Sequence, residues 1–387
     1  MHITEPTALL ELTQLRRHLH QHPELSGAET HTAAYLEALL RKYSPAAIHS
    51  QVGGTGLLVV FNSKNPDEGP TILFRAELDA LPIVEDNPDL AYTSKNTGVA
   101  HLCGHDGHMT ILMGLASLLH HHKPSKGKFI LLFQPAEETG AGAWDVLQDA
   151  RLQQLNPDYV FALHNLPGWP KHQVVIKENV FAAASTGMIV ELHGKPSHAA
   201  EPENGNNPGE AMAEIILKFN EMIRQKELFQ DLTLLTVIHA QLGEVAFGTN
   251  PGIGTVMATL RSYQTADLHK LKELTRQSVE QIALKYRLKY KISFVEEFPA
   301  TINHSKAVQL VRQAAEKLDL QVQEATQPFR WSEDFGHLTA KYNGALFGLG
   351  AGMDQPQLHH ANYDFPDDLI LTGASMFYEI IQQTLHT

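Results

Sequence analysis

Five consecutive apolar residues are followed, after three intervening residues, by an acidic pair in the stretch Phe129-Ile130-Leu131-Leu132-Phe133-Gln134-Pro135-Ala136-Glu137-Glu138. A strand without polar alternation must be covered on both faces, which is typical of the parallel strands in layered α/β proteins. Three more strand candidates run into polar residues in the same way: Thr71 to Phe74 into Glu77 and Asp79, Tyr159 to Leu163 into His164, and Ala345 to Leu349 into a loop with His359. Ligands bind outside the carboxyl ends of strands in open α/β sheets, so we expect these four strand ends to share one crevice.

Helical patterns separate these strands, and a different module interrupts them. Apolar residues recur at helical spacing over Leu9 to Leu19, Ala33 to Leu40 and Thr110 to His122. From Gly187 the order becomes βαββαβ, that of a ferredoxin-like sandwich, with Pro208 expected at the first position of its first helix. The α/β pattern then resumes and closes with a helix from Pro366. We therefore predict an α/β layered domain in two parts, residues 1–181 and 299–387, with an inserted domain at residues 182–298.

Composition and charge restrict the class of protein. A chain of 387 residues exceeds the roughly 250–300 residues at which single cores stop growing, so two domains are expected. The formal net charge of −13 disfavours nucleic acid and anionic membranes as partners. Apolar runs such as Ile111 to Leu119 are too short to cross a membrane. One cysteine forms no internal disulfide and the start Met1 to Pro6 lacks the pattern of a secretory signal, so a cytoplasmic location is expected.

Ligand-capable side chains are concentrated in the run His101-Leu102-Cys103-Gly104-His105-Asp106-Gly107-His108. On an extended backbone Cys103 and His105 point to the same side, where a thiolate and an imidazole could bind one ion or adjoining ions. The alternative is a buried thiol beside surface histidines, and this motif alone leaves both interpretations open.

The adjacent carboxylates Glu137 and Glu138 are unfavourable at a partly buried strand end unless a cation offsets their charge. Successive side chains point to opposite sides, so one glutamate could bind a metal ion while the other faces an activated water. A solvent-exposed acidic turn is the alternative. His164 and His359 could each be structural histidines, and their position after strands is what favours a ligand role.

Eight segments, in order along nearly the whole chain, resemble the successive motifs of the M20 metallopeptidase family. The resemblance is to the amidohydrolase branch, which includes hippurate hydrolase, N-acyl-amino-acid amidohydrolase and the plant auxin-conjugate hydrolases. The segments are His18 to Leu25, Arg75 to Pro82, Cys103 to His108, Gln134 to Glu138, Ala162 to Asn165, Gly194 to Ala200, Ser332 to Phe335 and Leu358 to His360.

The resemblance implies a dinuclear metal centre in a catalytic domain, and a lid and dimerisation domain at 182–298. Two divalent ions, zinc first and manganese, cobalt or nickel as alternatives, would be held by a ligand set that the family supplies: Cys103 as the bridge, with His105, Glu138, His164 and His359. Glu137 would be the general base, and His198 would reach the substrate carbonyl, often in the active site of the partner in a homodimer. Asn250 and Arg261 fall where relatives hold the substrate carboxylate.

The implied reaction is hydrolysis of N-acyl amino acids to a carboxylic acid and a free amino acid. A dipeptidase or carboxypeptidase with the same centre, and a catalytically silent metal-binding homologue, are the alternatives. The sequence departs from the family pattern at Glu77 and Asn207, where aspartate is usual, and at Ala361, where proline is common. These departures bear on substrate preference, since none of them removes a ligand. A dinucleotide site at Gly348 to Gly352 is disfavoured because Pro356 stands where a helix should begin.

Overall fold

The computed structural model describes residues 6–386, and most of the segment Met1 to Pro6, on which the expectation about a secretory signal rests, lies outside them. The described chain divides into two compact units. The first runs up to Phe181, resumes over Thr301–Pro328 and resumes again from Asp334, while the second comprises Ala182–Ala300 and Phe329–Glu333. The chain therefore leaves the first unit and returns to it.

A mixed sheet of eight strands forms the centre of the first unit, as described over residues 6–386. Its strands are β1 (Ala47–Val52), β2 (Gly56–Asn62), β3 (Thr71–Glu77), β4 (Lys128–Gln134), β5 (Tyr159–Pro167), β6 (Val174–Ile176), β15 (Val322–Glu324) and β16 (Asn343–Gly352). They lie in the order β1-β2-β4-β3-β5-β16-β6-β15. Strands β4, β3, β5 and β16 pair in parallel, so their carboxyl ends meet at one edge. This confirms the predicted α/β class and the predicted parallel centre.

Helices and two short strands complete the first unit. They are α1 (Pro6–Gln21), α2 (Thr30–Leu40), α3 (His105–His121), α4 (Gly142–Gln148), α5 (Ala150–Leu155), β7 (Asn179–Ala182), β14 (Thr301–Asn303), α8 (Ser305–Lys317), α9 (Gly336–Thr339) and α10 (Leu369–His386). The four parallel strands are buried almost throughout, which is why their sequences lack polar alternation. The last helix begins at Leu369, so its expected start at Pro366 was wrong by three residues.

Helix α3 begins at His105, five residues before the expected start at Thr110. Gly104 precedes it with φ 97°, a left-handed conformation that favours glycine. A side chain on Gly107 would overlap the ring of Phe365, so the first turn of α3 packs closely on the segment before α10. The polar residues of the Cys103 motif therefore lie at a helix start, and the expectation of an extended backbone there was wrong.

Buried ionic contacts attach helix α1 to this region. Arg16 is fully buried and donates through Nε to Asp367 and through Nη1 to Asp364, each at 2.7 Å. His20 lies 2.8 Å through Nδ1 from Asp106, in the first turn of α3. These contacts fix α1, α3 and the segment before α10 against one another.

The second unit has the predicted βαββαβ order. Its elements are β8 (Ala184–His193), β9 (Ser197–His198), α6 (Gly209–Arg224), β10 (Thr233–Leu242), β11 (Thr249–Asn250), β12 (Ile253–Ser262), α7 (Thr265–Lys285) and β13 (Lys289–Phe298). The four long strands form an antiparallel sheet in the order β10-β12-β8-β13, as a ferredoxin-like sandwich requires. Helix α6 begins one residue after Pro208, so this proline precedes the first helical position.

Strand β10 is an edge of that sheet and is mostly exposed. The loop after it carries Val245 and Phe247, whose exposures of 98% and 102% are those of extended side chains in solvent. Within residues 6–386 we find no helix whose length and hydrophobicity would let it cross a membrane.

Candidate metal centre

The carboxyl edge of the parallel strands brings the first predicted ligands together. Cys103, His105 and His164 are buried, and their ligand-capable atoms lie within 4.8 Å of one another. Cys103 Sγ is 3.5 Å from Nε2 of His164, which lies inside β5. The parallel arrangement of the strands thus produces the predicted convergence.

Both buried histidines are held in the same tautomer. Nδ1–H of His105 donates to the Asp79 carbonyl oxygen at 2.8 Å, and Nδ1–H of His164 donates to the Asn165 carbonyl oxygen at 3.0 Å. Each ring therefore turns the lone pair of Nε2 toward the cluster. Nε2 of His105 is buried without a hydrogen-bond partner among the described residues. A carbonyl-anchored imidazole with an unpartnered Nε2 is the arrangement that metal-binding histidines adopt.

Glu137 and Glu138 lie in a turn after β4 and not on the strand itself. Their carboxylate oxygens are each 3.9 Å from Nε2 of His105. The expectation that the two side chains point to opposite sides was therefore wrong, because Ala136 adopts φ 50° and ends the strand alternation. Glu137 is 5% exposed, which excludes the alternative of a solvated acidic turn.

A second group contains Cys103 again, together with Glu138 and His359, with the ligand-capable atoms again within 4.8 Å of one another. Nε2 of His359 is 3.7 Å from Glu138 Oε1. The backbone N–H of His359 donates to the Leu102 carbonyl oxygen at 2.8 Å, which attaches the loop after β16 to the cysteine motif. The five predicted ligands are thus divided between two groups that share Cys103.

The electrostatics of the cluster suit a cation. Burial raises the pKa of the Cys103 thiol to about 12 and lowers the pKa of His164 to about 3. Burial also acts to lower the pKa of His105, but Cys103 and Glu77 outweigh it and raise that pKa well above its usual value. The raised pKa shows that positive charge is stabilised at His105, while the lowered pKa keeps the His164 ring neutral, with a lone pair on Nε2 that suits a metal ion. We conclude that the donor set fits divalent ions.

Asp79 supports the cluster, although no individual role was predicted for it. Its Oδ2 accepts hydrogen bonds from the hydroxyl of Ser26 at 2.7 Å and from the backbone N–H of Glu138 at 2.9 Å. Its backbone carbonyl orients His105. The position of Asp79 two residues after β3, at the same edge as the ligands, is the signal that could have identified it.

Glu77, His105 and His108 form another group of nearby ligand atoms, but His108 is already engaged. Its Nδ1 lies 2.7 Å from Glu77 and its Nε2 lies 2.6 Å from the side-chain oxygen of Asn165. Glu77 also pairs with the buried Arg75. Glu77, at a position where the sequence departs from the family pattern, is therefore part of a buried hydrogen-bonded network next to the predicted ligands.

His198, Asn250 and Arg261 lie in the second unit. The ring of His198 is exposed, and its Nδ1 accepts a hydrogen bond from the backbone N–H of Ala200 at 3.0 Å, so its Nε2 carries the proton. Arg261 donates through Nη1 to the Ser332 hydroxyl at 2.7 Å. Its Nε and Nη2 make no hydrogen bond to any residue between 6 and 386, which leaves guanidinium donors for a ligand.

Asn250 connects the short strand that carries His198 to its surroundings. It pairs with Ser197 in the β9–β11 ladder and donates from Nδ2 to the Ser197 hydroxyl at 3.0 Å. Its side-chain oxygen accepts from Asn207 at 2.7 Å, and Asn207 accepts from the backbone N–H of Gly209 at the start of α6. The departure at Asn207 is therefore accommodated by an amide pair.

Two comparisons with known protein sequences give matches over most of the chain. The model of the peptidase family M20/M25/M40 matches residues 73–383. The chain is 33% identical over 376 residues to the N-acetyl-L-cysteine deacetylase of Bacillus subtilis (strain 168), covering 97% of this chain and 88% of that protein.

Solved structures agree in fold. A Bacillus subtilis protein described as a dinuclear metal binding peptidase from the M20 family superposes with a TM-score of 0.81 at 25% identity, covering 99% of both chains. The aminobenzoyl-glutamate utilization protein of Klebsiella pneumoniae superposes with a TM-score of 0.74 at 20% identity, covering 97% of this chain and 95% of the other. The second likeness concerns the fold alone.

Proposed function

Because the chain belongs to the peptidase family M20/M25/M40, we propose that it is a metal-dependent amidohydrolase that cleaves N-acyl amino acids into a carboxylic acid and a free amino acid. The observation that carries the proposal is the pair of ligand groups sharing Cys103 beside the buried Glu137. A structural thiol would need neither the two oriented histidines nor the adjacent carboxylates.

Two divalent ions per chain are the expected content of this centre. Cys103, His105 and His164 would hold one ion, and Cys103, Glu138 and His359 would hold the other, with the thiolate as the shared ligand. Thiolate and imidazole ligands favour zinc, while the carboxylates also suit manganese, cobalt or nickel. Bound there, the ions would lower the pKa of a water molecule and polarise the substrate carbonyl.

Glu137 is the proposed general base and acid. Its buried carboxylate lies beside the ligand groups and would remove a proton from the attacking water, then deliver that proton to the leaving amine nitrogen. His198, with its proton on Nε2, would donate a hydrogen bond to the developing oxyanion. Breaking the amide bond in this way leaves the acyl group as a carboxylic acid and releases the amino acid.

Recognition of the amino acid carboxylate is assigned to the second unit. The remaining donors of Arg261 suit a carboxylate, which guanidinium groups bind in a two-pronged geometry. Asn250 would hold the His198 segment in register as well as contribute to this site. The relative that deacetylates N-acetyl-L-cysteine supports a small acyl group on a single amino acid as the substrate class.

The second unit is also proposed as the lid and dimerisation domain, over residues 182–298. Its edge strand β10 exposes Ile238 at 63%, and the loop after it exposes Val245 and Phe247 almost fully. An exposed strand edge with apolar side chains is a site at which a second copy of the chain can pair. In such a homodimer His198 would serve the metal centre of the partner. A cytoplasmic location is part of the same proposal.

Hydrolysis by metal-reconstituted protein tests the function directly. N-acetyl and N-benzoyl amino acids should be cleaved faster than dipeptides at equal concentration, and removal of the ions by a chelator should abolish turnover until metal is restored. Faster cleavage of dipeptides would favour the dipeptidase alternative. Two bound ions per chain without turnover on any substrate would identify a silent homologue.

A further inference from the structure

The carboxylate of Glu29 is fully buried at the start of α2, yet it does not cap that helix. Glu24 performs this role, since its Oε2 accepts from the backbone N–H of Thr32 at 2.8 Å. Oε1 of Glu29 accepts instead from the backbone N–H groups of Ala136 and of Gly27, each at 2.8 Å, and Oε2 accepts from the hydroxyl of Thr55 at 2.6 Å. A buried carboxylate is unfavourable without such bonds, so its partners indicate what it is placed to hold.

Ala136 is the residue immediately before Glu137, and its φ of 50° is left-handed. This conformation is unfavourable for a residue with a Cβ, because the Cβ then lies too close to the following carbonyl oxygen. It persists only where the surroundings enforce it. The hydrogen bond from Ala136 to Glu29 is such a constraint, and it acts at the point where the chain turns from β4 toward Glu137.

The peptide group on the other side of Glu137 is held from the same loop. The backbone N–H of Glu138 donates to Asp79, and Asp79 accepts from Ser26, three residues before Glu29. The N–H groups before and after Glu137 are therefore both bound by buried carboxylates. The segment 26–29 thus constrains the turn from two directions.

We propose that Glu29 is a positioning residue that sets the direction of Glu137 by holding Ala136 in its left-handed conformation. The inference rests on the proposed function, in which Glu137 transfers the proton. Glu29 touches neither ligands nor substrate in this arrangement, so it acts only through the backbone. A displacement of about 1 Å in a reacting group lowers rates by up to about 10²-fold, which makes such a constraint effective.

Steady-state kinetics of the variant Glu29→Met test the proposal. Methionine has a side chain of similar length but no carboxylate oxygen to accept the hydrogen bond from Ala136. We expect kcat to fall by about 10- to 100-fold with KM nearly unchanged, since the base is misdirected while binding groups remain. Two ions per chain should still bind. Glu29→Gln keeps an oxygen that can accept from Ala136 and should retain most of kcat. The matched control is Thr55→Val, which removes only the bond to the other oxygen of Glu29 and should leave kcat near wild type.

Rescue distinguishes positioning from a general loss of stability. Glycine adopts positive φ without the Cβ penalty, so Ala136→Gly in the Glu29→Met background should restore kcat by about fivefold or more, the equivalent of the 1–2 kcal/mol that glycine removes. A stability defect elsewhere would not respond to this change. If Glu29→Met does not fold, Glu29→Asp is the second variant. Its shorter side chain moves the carboxylate oxygen away from the Ala136 N–H but keeps the charge, so kcat should fall as in Glu29→Met and should again be restored by Ala136→Gly.

A crystal structure of the variant gives a readout that is independent of turnover. Ala136 should leave the left-handed region and the Glu137 carboxylate should move. Wild-type kcat in the variant, or an unmoved Ala136 and Glu137, would overturn the proposal for Glu29. Failure of the wild-type protein to hydrolyse any N-acyl amino acid would instead overturn the proposed function. In that case the crystal structure of the variant would still show whether Glu29 holds Ala136 in its left-handed conformation.

Discussion

At the residue scale, substitutions of the two neighbouring glutamates Glu137 and Glu138 are expected to have different effects. Glu137→Gln keeps the size of the side chain but removes the base, so kcat should fall by at least roughly 10²-fold while both ions stay bound. Glu138→Gln should lose metal, because its oxygen lies among the ligand atoms of Cys103 and His359. Metal analysis and hydrolysis rates of the two variants measure this. Loss of metal from Glu137→Gln and its retention by Glu138→Gln would reverse the two roles.

The shared cysteine should be the most sensitive ligand. Cys103→Ser replaces the thiolate that both ligand groups use with a weaker ligand, so we expect affinity for both ions to fall together. His164 belongs to only one of the two ligand groups, so His164→Gln should lower the affinity for a single ion. Titration of the metal-free variants by calorimetry checks this difference. An equal loss from both variants would contradict a bridging cysteine.

The convergence of the five proposed ligands could be predicted from the sequence because each follows a recognisable strand or lies in the cysteine motif. The geometry of the Glu137–Glu138 turn could not. Ala136, whose φ is left-handed, donates its N–H to Glu29, a residue 107 positions away whose carboxylate reaches it only in the folded chain. Local alternation was therefore the wrong rule at this point.

At the scale of elements, His20 couples α1 to α3 and makes their docking depend on pH. Burial acts to lower its pKa, but hydrogen bonds to Asp106 and Glu85 raise the pKa of His20 to about 9. Because the folded pKa exceeds the unfolded value near 6.5, the stabilisation is fully present below about pH 6.5 and is lost as the pH rises through about 9. It amounts to about 3 kcal/mol for this shift.

Denaturant unfolding of metal-free protein from pH 6 to 10 measures this dependence. The free energy of unfolding of wild type should decline over that range, and His20→Gln should be less stable at pH 6 with a flatter profile. The variant keeps a donor for Asp106 but no titrating group. Parallel profiles for the two proteins would show that His20 does not carry the effect.

Elements with apolar patterns were predicted well, and elements made of polar residues were missed. The first turn of α3 was not predicted because its residues belong to the candidate metal centre and to the contacts with α1, so apolar periodicity begins only near Thr110. Strand β1 was missed because most of its side chains are partly exposed at the edge of the sheet. Polar residues at a candidate functional site and partly exposed residues at a sheet edge both lack the regular apolar spacing from which helices and strands are predicted.

At the scale of the whole molecule, the proposed homodimer makes two sites that each need both chains. Ile238→Lys on the exposed edge strand should convert dimer to monomer and lower turnover. Leu217→Lys on helix α6, where the leucine is 70% exposed, is the matched control and should stay dimeric. Light scattering at micromolar concentration measures the state. A wild-type protein that is monomeric there would remove the dimer from the proposal.

Mixed dimers test the partner's contribution. Co-expression of His198→Ala with Glu137→Gln should restore roughly a quarter of wild-type turnover, since half of randomly paired dimers are mixed and each holds one intact site. Each variant alone should be nearly inactive. No gain on mixing would place both groups of a site on one chain.

The strand order has a consequence for how the chain is made. Strand β16 lies between β5 and β6 in the sheet, although β5 and β6 leave the ribosome long before it. Until then a nascent chain presents the open edge of β5, to which chaperones can bind. It also lacks His359, so the second of the two proposed ligand groups is incomplete. We therefore expect chains stalled before Asn343 to be held or degraded, and metal loading to follow synthesis.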